Sequence, residues 1–303
     1  MDNLPPVVRE CIAAGVGCSI ADGSLNALEV TKVKLQLDSI KSPIYPRYPP
    51  SLIRQVVAED GMWRGLMEPG LGATILRGCT YVAFRIGLYS SVRDAITRGR
   101  PTTFSDQLLA GAVTGGIGSM LFCPIDVVRV RQQSDAGTVS KSTGLMKTGL
   151  RKGKIPRHKQ TLSAFGEIVR SEGALGLYKG AQFTIARAAL LSASQLASYE
   201  SLKGASREML NLEKESTPLH LVCALTSGLI AQTCIMPFDT ARSYFMAAES
   251  PTFSSLIALC QKEGAFNWAY RGYAAACARQ GPIMLFQLPL IEKLRELLGV
   301  GYL

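Results

Sequence analysis

Pro124-Ile125-Asp126-Val127-Val128-Arg129-Val130-Arg131-Gln132-Gln133 decides the fold, because the chain carries this block three times. Pro237-Phe238-Asp239-Thr240-Ala241-Arg242 is one further copy, and Ala27-Leu28-Glu29-Val30-Thr31-Lys32-Val33-Lys34-Leu35-Gln36 is the other. Each copy ends a small-residue-rich apolar stretch and sets an acid three residues before a base. A single Pro-x-Asp-x-x-Arg means little. Three copies, at 27, 124 and 237, imply a body built from three similar modules. Their expected boundaries are 1–101, 102–212 and 213–303.

Six apolar segments flank these blocks, at about 7–36, 70–99, 105–134, 180–209, 217–247 and 272–299. Each is long enough to cross a bilayer, which takes about 20 residues. Apolar residues make up 47% of the chain, and the mean hydropathy is +0.16. That intermediate value suits helices with lipid on one side and water on the other. Asp22, Arg77, Arg85, Arg187 and Arg279 lie well inside the segments, where an ionisable group normally faces a partner or a watery cavity. The abundant Gly and Ala favour close membrane packing over a soluble bundle of six buried helices. Pro124 and Pro237 should kink their helices. Ala27 lacks that device, so the first helix bends less or bends by another means.

Composition excludes several functions. The net charge is +10, but the bases are not interleaved with aromatics on one element, so no nucleic-acid partner is expected. The eight cysteines form no Cys-x-x-Cys pair. Neither a disulfide framework nor a zinc site is expected. His158 and His220 neighbour no plausible nucleophile. No enzyme, metal or cofactor is implied, and no cleavable targeting segment is visible.

Between the odd and even segments lie amphipathic stretches at 51–59, 161–171 and 254–262, which read as interfacial helices. Asp60-Gly61, Glu172-Gly173 and Glu263-Gly264 follow them. Gly70, Tyr178-Lys179-Gly180 and Tyr270-Arg271-Gly272 then open the even helices. The connection at 134–160 is a basic insertion, expected to be mobile. It biases Lys and Arg toward the odd–even connections, so the termini are expected on the opposite side.

These blocks, acid–glycine segments and six spans resemble the mitochondrial carrier family over nearly the whole chain. The resemblance implies an all-α membrane protein: six transmembrane helices in three pseudo-symmetric repeats around a central cavity, with three short interfacial helices. It implies alternating access across the inner mitochondrial membrane, both termini toward the intermembrane space, a functional monomer, and cardiolipin at Gly180 and Gly272. It also implies a matrix gate of Glu29–Arg129, Asp126–Arg242 and Asp239–Lys32, with Gln36 and Gln133 beneath the pairs and Met246 unable to serve in the third. A second, cytosolic-side gate would use Arg93, Tyr199, Glu200, Lys203, Glu292 and Arg295. Ser90 stands there in place of an acid and Ile291 in place of an aromatic, so this gate is expected to be the weaker.

Arg77, Arg187 and Arg279 each lie seven residues after the glycine that opens an even helix. Three like charges in equivalent cavity positions call for an anion, and guanidinium grips carboxylate in a way lysine does not. Within the family these slots resemble substrate contacts: Arg77-Gly78, Arg187-Ala188 and Arg279-Gln280. Arg85-Ile86-Gly87-Leu88-Tyr89, Ala21-Asp22 and His220-Leu221-Val222 resemble the uncoupling-protein, dicarboxylate and oxoglutarate carrier group. Arg85 and Asp22 join the expected cavity lining. The implied activity is exchange of a small anionic metabolite, a dicarboxylate or keto acid. The alternatives are a proton or fatty-acid-anion conductor of uncoupling type and a carrier-fold adaptor that does not transport.

Overall fold

The computed structural model describes residues 6–39, 42–101, 103–140, 142–157, 160–191, 193–194, 198 and 217–298. The first third holds α1 (Pro6–Ser24), α2 (Asn26–Leu37), α3 (Pro49–Asp60), a π turn (Trp63–Met67), α4 (Leu71–Arg77), a second π turn (Gly78–Val82) and α5 (Ala83–Thr97). Next come α6 (Phe104–Leu121), α7 (Cys123–Ser134), α8 (Thr161–Glu172), a 3-10 turn (Ala174–Tyr178) and α9 (181–191). The last third holds α10 (Thr217–Ala247), α11 (Phe253–Glu263), α12 (Ala265–Ala269) and α13 (Tyr273–Leu297). Helices α3, α8 and α11 are the expected interfacial ones.

Among the described residues no single helix is both long and apolar enough to cross a membrane. Two bent pairs are: Val8–Ser24 with Asn26–Leu37, at 62°, and Leu109–Leu121 with Cys123–Ser134, at 64°. Both carry an outward apolar stripe. Val8, Ile12, Val16 and Ile20 are exposed along α1, and Leu109, Val113, Ile117 and Met120 along α6. Residues three or four apart share one helix face, and so large an apolar face suits lipid better than water.

Pro124 sits just inside α7, at the second bend. The first pair bends as far with Ala27 in the equivalent place, so proline is not what bends it. Pro237 lies inside α10, which continues through it unbroken.

The three repeats join through glycine. Gly70, Gly180 and Gly272 precede even helices with φ of 72°, 83° and 70°, a region that costs any residue with a Cβ. Each also lies against the next odd helix. A Cβ on Gly70 would meet the Arg129 carbonyl oxygen at 3.2 Å, one on Gly180 the Met246 Cγ at 3.2 Å, and one on Gly272 the Lys32 carbonyl oxygen at 3.1 Å. Repeat one thus abuts two, two abuts three, and three returns to one.

The insertion after α7 is folded, against expectation. Val139 and Met146 form a β-bridge. The Met146 N–H donates to the Lys154 carbonyl at 2.9 Å, and the Lys147 N–H to the Thr138 carbonyl at 2.8 Å. Ala136 is buried in the same apolar cluster as Val30, Leu52, Val56 and Ala275, with Leu150 packed against it. Asp60 accepts from the Thr138 N–H at 3.0 Å and from the Thr138 and Thr148 hydroxyls. Arg157 grips Asp135 at 2.8 Å and reaches Glu249 at 3.2 Å. Local charge suggested mobility; partners distant in sequence supply the order.

Candidate functional site

The repeated blocks converge at one end of a central cavity. Lys32 Nζ lies 2.6 Å from Asp239 Oδ2, Arg242 Nη2 lies 2.7 Å from Asp126 Oδ2, and Arg129 Nη2 lies 4.0 Å from Glu29 Oε1. All three pairings expected across the repeats are formed, and the one between repeats one and two is the longest. Thr184 of α9 accepts from Arg242 Nε at 3.0 Å, which aims that guanidinium at Asp126.

The two glutamines do not brace these pairs. Gln36 accepts from the Ser243 hydroxyl at 2.7 Å, and Gln133 Nε2 donates to Asn26 Oδ1 at 3.3 Å. Both tie one repeat to the next. Met246 packs in the apolar core instead.

The cavity arginines face the same acids. Arg77 Nε is 2.8 Å from Asp126 Oδ1, Arg279 Nε is 3.0 Å from Glu29 Oε2, and Arg187 Nε contacts Asp239 Oδ1. Each ring acid is therefore shared by two bases, one from a block and one from an even helix. In none of the three does the Nε–H line up for a hydrogen bond. The attraction is coulombic, with little directional grip. Arg279 also donates to Asp22 at 2.7 Å, and Arg77 lies 5.1 Å over the Tyr81 ring, a cation–π contact.

This changes the charge reading. The arginines are not three bare like charges, because acids already neutralise part of the cluster. Lys32, Arg77, Arg85, Arg129, Arg187, Arg242 and Arg279 still outnumber Asp22, Glu29, Asp126 and Asp239 by three positive charges.

The cavity between the helices holds about 240 Å³ and is lined by Asp22, Arg77, Gly78, Arg85, Arg187, Ala188 and Arg279, with Cys18, Tyr81, Ser119 and Gln287. The π turn Gly78–Val82 brings Arg77 and Arg85 into register. Eight residues of regular α-helix would turn about 80° past two turns, but the wider π turn absorbs one residue. Gly78 is also a crossing point, since a Cβ there would lie 2.9 Å from the Ser19 Cα. Gln280 is not among the lining residues; it lies against Gly228 of α10, whose Cβ would sit 3.7 Å from its Nε2.

The other end shows no matching ring among the described residues. Arg93 pairs with its neighbour Asp94 at 2.9 Å, and Arg295 reaches Glu10 of α1 at 2.7 Å. Glu292 is exposed. Tyr199, Glu200 and Lys203 lie outside the described residues, as does the Ser90 side chain.

Sequence reasoning missed the sharing of each acid by two bases, which only threefold packing creates. It also missed Tyr81 and Asn26. Asn26 did carry a signal: a polar residue in an apolar run, beside the one block without proline.

Known proteins agree with this architecture. The family model for mitochondrial carrier proteins matches residues 3–100, 100–209 and 213–301. Mitochondrial uncoupling protein 5 of Arabidopsis thaliana is 27% identical, covering 93% of this chain and 95% of its own. Mitochondrial brown fat uncoupling protein 1 of Canis lupus familiaris is 27% identical over 99% of this chain and 96% of its own. The mitochondrial substrate carrier family protein ucpB of Dictyostelium discoideum is 27% identical, with 94% of each chain covered. The chain belongs to the mitochondrial carrier family and is a membrane-embedded, multi-pass transporter, not an enzyme.

Proposed function

We propose that the chain exchanges small carboxylate anions, dicarboxylates or keto acids, across the inner mitochondrial membrane by alternating access. The observation that carries this reading is the shared ring: Arg77, Arg187 and Arg279 each face a ring acid through Nε without a hydrogen bond. An incoming carboxylate offers each guanidinium a better-aligned, bidentate partner. As the arginines turn to it, Asp126, Asp239 and Glu29 each lose one of two bases. The remaining pairs, Lys32–Asp239, Arg242–Asp126 and Arg129–Glu29, are then a matrix gate close to balance, because desolvation offsets much of the coulombic gain. Arg85, in register with Arg77, adds a further cation to the site. The reading carries with it cardiolipin at Gly180 and Gly272, a functional monomer and both termini toward the intermembrane space.

Reconstitution in liposomes tests it. Vesicles loaded with malate, oxoglutarate, phosphate, sulfate or citrate should show saturable exchange of at least one carboxylate, and Arg187→Ala should abolish it. Proton conduction of uncoupling type is the second reading. It is favoured by the relatives' names and by Asp22, a carboxylate in the cavity. Proton flux without exchange would select it. No flux of any kind would leave a carrier-fold adaptor.

A further inference from the structure

The bend between α1 and α2 has the same local backbone as the bend that Pro124 accompanies. Leu25 has φ −98° and ψ 12°, and Phe122 has φ −99° and ψ 9°. The Leu28 and Glu29 N–H groups donate to the Leu25 carbonyl, as those of Ile125 and Asp126 do to the Phe122 carbonyl. Ala27 is the second residue of α2 and Pro124 the second residue of α7. The first repeat reaches a proline geometry with an alanine.

Asn26 stands immediately before that alanine. Its side chain is fully buried. Its Nδ2 donates to the Met67 carbonyl at 2.7 Å and the Pro69 carbonyl at 2.9 Å, with the Leu66 carbonyl at 3.4 Å. These carbonyls lie at the end of the π turn and in the link from it to α4, where backbone acceptors have no continuing helix to pair them. Its Oδ1 accepts from Thr74 Oγ1 at 3.4 Å and from Gln133 Nε2 at 3.3 Å. Cys123 and Met236, at the same place in the other copies, are buried and apolar.

Gln133 belongs to repeat two, so this cluster bridges the seam where the ring is weakest. Arg129 stands 4.0 Å from Glu29 there, and its Nε and Nη2 are buried without a hydrogen bond. We propose that Asn26 is a positioning residue for the gate: it holds the α1–α2 bend in place of proline and ties repeat one to repeat two beside Glu29–Arg129. A proline bend is covalent and permanent. This one is held by hydrogen bonds and can be released, so the gate opens first at the seam between repeats one and two. The proposal rests on the carrier reading of the ring.

The test uses the full chain in liposomes, with Ile283→Cys at a residue that also lines the cavity and a charged, membrane-impermeant thiol reagent confined to the ring side. Labelling at residue 283 is read by mass spectrometry, with no transported anion present, so the result does not depend on identifying the substrate. Asn26→Ala should raise ring-side labelling at least fivefold. Adding Ala27→Pro should return it to within twofold of the parent. Where exchange is measurable, Asn26→Ala should change kcat and leave KM within twofold, and Ala27→Pro should restore kcat. If Asn26→Ala alone yields no folded protein, recovery of folded protein by Ala27→Pro supports the proposal. Unchanged labelling in Asn26→Ala, or no recovery by Ala27→Pro in labelling or folding, overturns it.

Discussion

At the residue scale the account rests on glycines and on paired charges. Gly180 has φ 83° and abuts Met246. Gly180→Ala should lower stability by about 1–2 kcal/mol from the left-handed backbone alone, with a further loss from the contact, read as a fall in the thermal midpoint. Gly173 has open space around a Cβ, but its φ of 75° and ψ of 174° lie in a region essentially reserved for glycine, so alanine there should still cost about 1–3 kcal/mol through the backbone alone. Glu172 makes a second test. Burial alone would raise its carboxyl, but hydrogen bonds from Arg131 and Lys179 hold it below the usual glutamate range. A depressed acid stabilises the fold above its unfolded value of about 4.3. That stability is lost as pH falls through the folded value. Glu172→Gln should therefore destabilise the protein at pH 7 by about 1–3 kcal/mol, and the gap to the parent should close as pH falls below about 4.3 and on through the folded value. A constant gap would contradict the assignment.

At the element scale the insertion is the informative case. Repeat two pairs Arg131 with Glu172 at 2.7 Å. The matching pair in repeat one, Lys34 and Asp60, is not formed. The insertion's threonines occupy Asp60, and Lys34 Nζ is left buried without a hydrogen bond, 5.2 Å over the Tyr45 ring. Removing both hydroxyls with Thr138→Val and Thr148→Val should cost at least about 2 kcal/mol, because hydrogen bonds to a charged group are the stronger kind. Urea unfolding would show it as a lower midpoint. An unchanged midpoint would mean that Asp60 finds Lys34 at no cost. The helices themselves were legible in the sequence. Interfacial helices, spans and the bend at Phe122 follow from apolar periodicity, Pro124 and the glycines that open the even helices. The folded insertion was not legible, because Asp60 stands 78 residues before Thr138. Nor was the bend at Leu25, where the Asn26 amide reaches carbonyls at 66–69 that lie far along the sequence.

At the scale of the whole molecule, three copies of one block close a ring, and three arginines lean on it from the cavity side. The acids and bases could be read from Glu29, Asp126, Asp239 and their partners. Their sharing could not, because it arises only when repeat three returns to repeat one. On the proposed exchange reading, that sharing links site to gate: what takes the arginines weakens the ring. The ring also sets a direction, since it is formed at one end, while at the other Arg93 pairs with Asp94 and Arg295 with Glu10 of α1, and no matching ring stands among the described residues. The most direct test is ring-side labelling of a cysteine at position 283 in liposomes, with and without an exchangeable carboxylate. The account predicts low labelling without the anion, a severalfold rise with it, and no rise in Arg187→Ala. Ring-side labelling that is already high without the anion, or that rises equally in Arg187→Ala, would contradict it.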